Sequence, residues 1–272
     1  MGGTLRKSWT WRAIAVGTAG VLALGACGGN DDDDASGSNT GAEAEEPTDE
    51  PGDVASFCDD IDDLGLGVSI GEGYEGIDPS LAAAQDIAPD EISADVTTMA
   101  EENRAQVAAG PPPEGQPPTI PSDDFFAAAT SVGDYMADNC GYQVIDVTAT
   151  DHAFDGIPAD AEAGKTLIRI TNDGSEYHEV VLQHVHEGET RSVEEILALP
   201  GEGGDLLDFL GNAFAPPGVG NWAVVDLSAG RHVAMCFMPT GATTPEALQS
   251  GQADDTAELH VMRGMFAEMQ IS

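Results

Sequence analysis

The sequence predicts an all-β sandwich over residues 142–272, preceded by a small helical domain over residues 53–141. Three observations predict it. After Gly141, short runs rich in β-branched residues are separated by glycine and Asx turn signals. Between residues 53 and 141, apolar residues recur near the 3.6-residue period instead. Residues 27–52, by contrast, offer almost nothing to bury, so the folded part begins near residue 53.

The chain has 272 residues, enough for two modest domains once export and linker segments are set aside. Asp and Glu outnumber Lys and Arg by 49 to 9, giving a formal charge of -40. Such a polymer repels nucleic acid and anionic lipid surfaces, which excludes a nucleic-acid role. The same repulsion opposes compaction, and salt screens it over about 10 Å or less. The composition therefore suits salty or alkaline surroundings, or simply a soluble exported protein.

Residues 1–26 read as a secretion signal: Arg6, Lys7 and Arg12 precede an apolar run from Ala13 to Ala26. That run has 14 residues, too short to span a bilayer comfortably as a helix. Its end, Leu24-Gly25-Ala26-Cys27, resembles a bacterial lipoprotein signal. The resemblance implies cleavage before Cys27 and lipidation of its sulfur, which would hold the protein on the outer face of the cell membrane. Residues 27–52, with Asp31 to Asp34 consecutive, then form an acidic, disordered tether.

In the helical segment, Ser80 to Gln85 suggests a short helix, and Pro89-Asp90-Glu91-Ile92 opens a second one carrying Ile92, Val96, Met99, Ala100 and Val107. A Pro-rich break from Gly110 to Pro121 precedes a third, Ser122 to Asn139. Ser122 is placed to cap it, and Phe125, Phe126, Ala129, Val132 and Met136 share one face. With Cys27 and Cys236 assigned elsewhere, Cys58 and Cys140 remain as a disulfide pair in an oxidising compartment. Neither has a neighbouring His or a C-x-x-C spacing that would mark redox or metal chemistry.

In the C-terminal segment the strand candidates are 142–150, 165–171, 179–185, 222–227, 231–237 and 265–271, arranged as an antiparallel sandwich. Helices are expected as insertions near Val193 to Leu199 and Asp205 to Leu210. Side chains alternate along a strand, so Val180 and Leu182 place His178 on the core side at a strand start. Met265 stands likewise before the last strand, and Cys236 closes the apolar strand from His232. A thiolate, two imidazoles and a thioether suit copper in electron transfer, because sulfur stabilises Cu(I) and imidazole accepts Cu(II). His260 and Met265 can reach one ion from a single turn, while His178 must come from a distant strand. His184 and His186 face one way and could form a surface metal pair or a solvated strand end; His152 and His232 are packing or supporting candidates, and Trp222 a core residue.

The stretch Ile170-Thr-Asn-Asp-Gly-Ser-Glu-Tyr-His178-Glu-Val-Val resembles the first-ligand strand of plastocyanin-like cupredoxins. Cys236-Phe-Met-Pro239 resembles their thiolate loop, His260-Val-Met-Arg-Gly-Met265 their closing His-x4-Met, and His152-Ala-Phe-Asp-Gly-Ile-Pro158 their early strand and turn. The resemblance implies a Greek-key cupredoxin-like sandwich holding one type 1 copper ion, with His178, Cys236 and His260 equatorial and Met265 axial. The chain departs from the family in two places. Residues 241–258 intervene between the cysteine loop and His260, room for a surface lobe or a partner-docking loop. Glu179 stands where the family commonly has an Asn that ties the ligand loops together.

The function expected is single-electron transfer to a redox partner protein at the membrane surface, through the exposed edge of one ligand imidazole. Copper delivery or storage is the nearest alternative, and a metal-free envelope binding module is a third. No G-x-S-x-G elbow, H-E-x-x-H helix or second copper-ligand cluster points to hydrolysis or oxygen chemistry.

Overall fold

A computed structural model of the protein describes residues 54–61, 77–110, 116–117, 119–199, 203–254 and 256–272. The export segment, Cys27 and the acidic tether lie outside the described residues, as does part of the Pro-rich break. No helix among the described residues is long and apolar enough to cross a membrane.

Four helices come first: α1 (Val54–Asp60), α2 (Ile77–Ile87), α3 (Ser93–Ala109) and α4 (Asp123–Asn139). The second expected helix starts later than Pro89 because residues 90–92 form a turn closed by the Ile92 amide on the Pro89 carbonyl at 3.0 Å. Of its apolar series Ile92, Val96, Met99 and Ala100 are buried, and Val107 is half-buried. In α4 the Ser122 hydroxyl accepts the Phe125 N–H at 3.2 Å, satisfying an amide that the first turn leaves open. All five expected apolar positions of α4 are buried. A disulfide joins Cys58 to Cys140, 82 residues apart, fastening α1 to the end of α4.

Nine strands follow: β1 (Gln143–Thr150), β2 (Ala153–Asp155), β3 (Asp160–Ala161), β4 (Gly164–Asn172), β5 (His178–Val185), β6 (Leu207–Ala215), β7 (Gly220–Leu227), β8 (Gly230–Met235) and β9 (Phe266–Ile271). They form a four-stranded sheet, β2-β1-β4-β7, and a five-stranded sheet, β3-β9-β8-β5-β6. The sheets are mixed, which corrects the purely antiparallel expectation. β1 runs parallel to β4, and β3 parallel to β9. Between β1 and β4 the chain passes to the other sheet at β3, a crossover that alternation within one strand does not encode.

One further correction concerns local structure. The helix expected over Asp205 to Leu210 is a 3-10 turn, Gly203–Leu206, leading into β6. Leu206, Leu207, Phe209 and Leu210 fit either period, and pairing along the whole length of β5 decides for the strand. Residues 241–258, the room for a surface lobe or docking loop, hold α6 (Pro245–Ala253), with Thr244 accepting the Ala247 N–H at its start. The helix expected near Val193 is α5 (Val193–Leu197), entered through a capping box of Ser192 and Glu195.

One apolar core runs through both parts, including Phe125, Phe126 and Val132 from α4 and Leu167, Ile170, Val180 and Met269 from the sheets. Trp222 marks the junction of α4 with β7. It is 1% exposed, and its indole N–H donates to the Ala129 carbonyl at 2.8 Å. Gly133 makes this approach possible, since a Cβ there would lie 2.8 Å from the indole ring. Burying roughly 200 Å² of tryptophan stabilises the junction by about 5 kcal/mol before the entropy of ordering is counted. Arg169 reinforces it from β4, reaching Asp134 on α4 and Asp146 on β1 at 2.7 Å each.

Candidate metal centre

Two strands of the five-stranded sheet and the turn before its strand β9 deliver the expected side chains to one point. His178 is the first residue of β5, Cys236 follows directly on β8, and His260 opens a 3-10 turn, His260–Arg263, just before β9. β8 lies between β5 and β9, so the cysteine enters between the two histidines. Cys236 Sγ is 3.3 Å from His260 Nδ1 and 3.8 Å from His178 Nδ1. The three donor atoms all lie within 4.8 Å of one another, and all three residues are 0% exposed.

Met265 is also fully buried and stands beside the same loop. Its carbonyl accepts the Cys236 N–H at 3.2 Å, and its own N–H donates to the His260 carbonyl at 3.1 Å. The backbone stitches the two ligand loops further. The Val261 N–H donates to the Cys236 carbonyl at 2.8 Å and the His260 N–H to the Met238 carbonyl at 2.9 Å. A bridge between Pro239 and Leu259 then closes the neck of the 241–258 insertion. The long insertion therefore does not separate the ligands: it leaves and returns through a pinched base, and α6 folds back so that Gly251 abuts Pro239.

Burial sets the chemistry of these groups. It lowers the His178 pKa to about 4, with His260 beside it adding to the effect, so the imidazole is neutral and a competent ligand at neutral pH. It lowers that of His260 as well, against the pull of Glu176. The Cys236 thiol is pushed far up, chiefly by burial and then by Glu179. A bare thiolate is therefore unfavourable here, and a cation is what the pocket needs to hold one. Metal bonds of about 2.0–2.3 Å to N and S separate neighbouring donors by roughly 3.5 Å, close to the spacings found. The donor set and its spacing thus fit a copper ion.

Around the donors lie acidic residues that sequence reading missed. Glu176 Oε2 accepts from His260 Nε2 at 2.9 Å and from the Gly241 N–H at 2.6 Å. Burial raises the Glu176 pKa, but these hydrogen bonds outweigh it and hold the carboxyl below its ordinary value. Asp151 Oδ1 lies 3.7 Å from His178 Nε2, and Ser175 donates to both Asp151 oxygens. Those bonds, the Ser175 amide foremost, lower the Asp151 pKa. Gly174 leaves room for this contact, as a Cβ would come within 2.7 Å of both His178 Nε2 and Asp151 Oδ1. With 49 acids in the chain, nothing in the sequence marked these two. Asn172, fully buried, donates to the Glu176 and Ala215 carbonyls at 2.8 Å and fixes the loop that carries Glu176.

Glu179 has a definite place. Its Oε1 accepts the Phe237 N–H at 3.2 Å, so it ties the His178 strand to the cysteine loop. Neither candidate imidazole shows an edge to solvent, which corrects that expectation: His260 is covered by Glu176, the first residues of the insertion and the ring of His152, 4.9 Å away edge-on. His152, Glu176 and His260 also form a second donor group.

The order of the nine strands in two sheets after four helices settles the architecture. It is a cupredoxin-like sandwich preceded by helices. No protein-family model matches the chain, and no curated protein matches it. Solved structures of similar cupredoxin-like architecture are remote in sequence. A dithionite-reduced auracyanin from Roseiflexus castenholzii is 16% identical, covering 48% of this chain and 97% of that one, at a TM-score of 0.29. Auracyanin A, a "blue" copper protein from Chloroflexus aurantiacus, is 17% identical over 48% of this chain and 100% of its own, at 0.28. Reduced rusticyanin is 15% identical over 47% of this chain and 77% of its own, also at 0.28.

Proposed function

We propose that this chain is a lipid-anchored, extracytoplasmic copper protein that passes single electrons. The observation that carries the reading is the buried set of His178 Nδ1, Cys236 Sγ and His260 Nδ1, collected from the start of β5, the end of β8 and the 3-10 turn before β9. His178, Cys236 and His260 would hold the ion, with the Met265 thioether as a weaker donor. A copper ion bound there supplies a one-electron couple between Cu(I) and Cu(II).

The chain's own residues favour such a couple. The backbone bonds that join the Cys236 loop to the His260 turn hold two of the donors at fixed separation, which keeps reorganisation small. Glu176 fixes the tautomer and tilt of His260 by taking a hydrogen bond at Nε2, leaving Nδ1 to the metal. Complete burial of the donors excludes water and slows release of an ion, which favours electron transfer over copper delivery. The electron must cross the layer formed by Glu176 and residues near Gly241, so the partner protein is expected to dock there.

Upstream, Cys27 would carry the acyl chains and residues 28–52 would give the folded part reach from the membrane. Replacing Cys27 with Ser should shift the protein from the membrane to the soluble fraction.

The deciding experiment is an optical spectrum of the copper-loaded, oxidised chain from residue 28 onward. An intense visible thiolate-to-Cu(II) band, absent in Cys236→Ser, is the expected result. A colourless protein, or a Cys236→Ser variant that keeps the band, would refute the assignment.

A further inference from the structure

His178 and His184 are six residues apart on one strand, so a second group of histidines lies about 20 Å from the first, toward the far end of β5. His184 is paired in register with Asp208 on β6 and with His232 on β8. The Asp208 carboxylate meets two imidazoles at once, His186 Nε2 at 3.0 Å through Oδ1 and His184 Nδ1 at 3.8 Å through Oδ2. The His232 ring packs on that of His184 with centroids 4.8 Å apart. His232 is fully buried, yet its Nε2 has no hydrogen-bond partner among the described residues. Gly230 makes room for the group: a Cβ there would lie 2.8 Å from His184 Nε2.

The chemistry is unlike that of the first centre. It has no sulfur donor, one carboxylate and as many as three imidazoles, the borderline set that Zn(II) and Cu(II) share. It is also open, with side chains of His184, His186 and Asp208 at 22%, 42% and 61% exposure. Such side chains can turn to close on an ion, and water can complete the shell. A surface ion pair explains the contact of His186 with Asp208, but leaves unexplained why a third histidine is buried beside them with a ring nitrogen unsatisfied.

We propose that His184, His186 and Asp208, backed by His232, form a second, exchangeable site for a divalent transition-metal ion of the Zn(II) or Cu(II) type. The site shares no residue with the electron-transfer centre and stands or falls separately from it.

The test is calorimetric titration of Zn(II) into the full-length folded region carrying Cys236→Ser, which removes the thiolate of the first centre, compared with the same chain also carrying His186→Ala or Asp208→Asn. His186 and Asp208 are exposed, so both variants should fold, as circular dichroism would check. The expected result is one equivalent of Zn(II) bound by the Cys236→Ser chain, weakened at least tenfold by either additional substitution. Imidazole NMR signals of His184, His186 and His232 should shift on addition of the ion. Unchanged affinity in both variants, no Zn(II) bound, or shifts confined to His178 and His260 would each overturn the proposal.

Discussion

Glu179 and Phe237 are joined by a hydrogen bond of 3.2 Å in which a buried carboxyl accepts a backbone N–H. The bond locks the strand that begins at His178 to the residue that follows Cys236. An amide could make the same contact, so the use of a carboxyl has consequences of its own. Burial lifts the Glu179 pKa to about 7, with the bonds from Phe237 and Asn212 acting against the rise.

The metal-free protein should therefore lose stability as the pH rises from about 4.5 toward 7. The folded state holds the Glu179 proton more tightly than the unfolded chain does. Its stabilising contribution is complete below the ordinary value of 4.5 and is lost as the pH passes about 7. The loss is of the order of 3 kcal/mol. Glu179→Gln keeps an acceptor for Phe237 and removes the ionisation. Metal-free Glu179→Gln should melt several degrees above the parent at pH 8, with the gap closing toward pH 5 in thermal scans; an equal gap at both would reject the account.

Glu176→Gln should raise the midpoint potential of the copper-loaded protein. The carboxylate hydrogen-bonded to His260 is ionised at neutral pH, and its charge favours the more positive oxidation state of an ion held by His260 Nδ1. Removing one charge several ångströms away should favour Cu(I) by roughly 1–3 kcal/mol. Redox titration followed by colour measures it, and a fall in potential would contradict the assigned geometry.

Met265→Leu should leave the visible band in place and move the potential upward. A weak neutral donor is exchanged for a more apolar side chain, which disfavours Cu(II) without removing the thiolate. Loss of colour in this variant would mean that Met265 supports the fold of the ligand loop and not the ion alone.

Gly133→Val should weaken the seam between helices and sandwich. Even a single Cβ there would meet the Trp222 indole at 2.8 Å, so the branched side chain must displace the ring or α4. A cost of about 1–3 kcal/mol is expected, read as a lower denaturant midpoint. Because Trp222 is on β7, away from the ligand strands, the optical spectrum of the copper-loaded variant should be unchanged.

Much of this was legible in the chain itself. The strands that carry the candidate ligands follow from alternation: Val180 and Leu182 point the same way as His178, and His232 and Ala234 the same way as Cys236. The capped face of α4 follows from Ser122 and a 3.6-residue spacing. These are local regularities, fixed by backbone geometry within a few residues, and a sequence records them directly.

Other features exist only once distant segments meet. β6 reads equally well as a helix until it lies along β5. The parallel pairing of β1 with β4 depends on a crossover between sheets. Glu176, Asp151 and the Asp208 carboxylate are three acids among 49, distinguished only by what they touch. The covering of His260 depends on an insertion whose two ends are pinched together at Pro239 and Leu259. The sequence determined which side chains could serve as donors, because residue type and period are local. Only the tertiary structure decided which of them converge and how deeply they are buried, because both depend on contacts between segments dozens of residues apart.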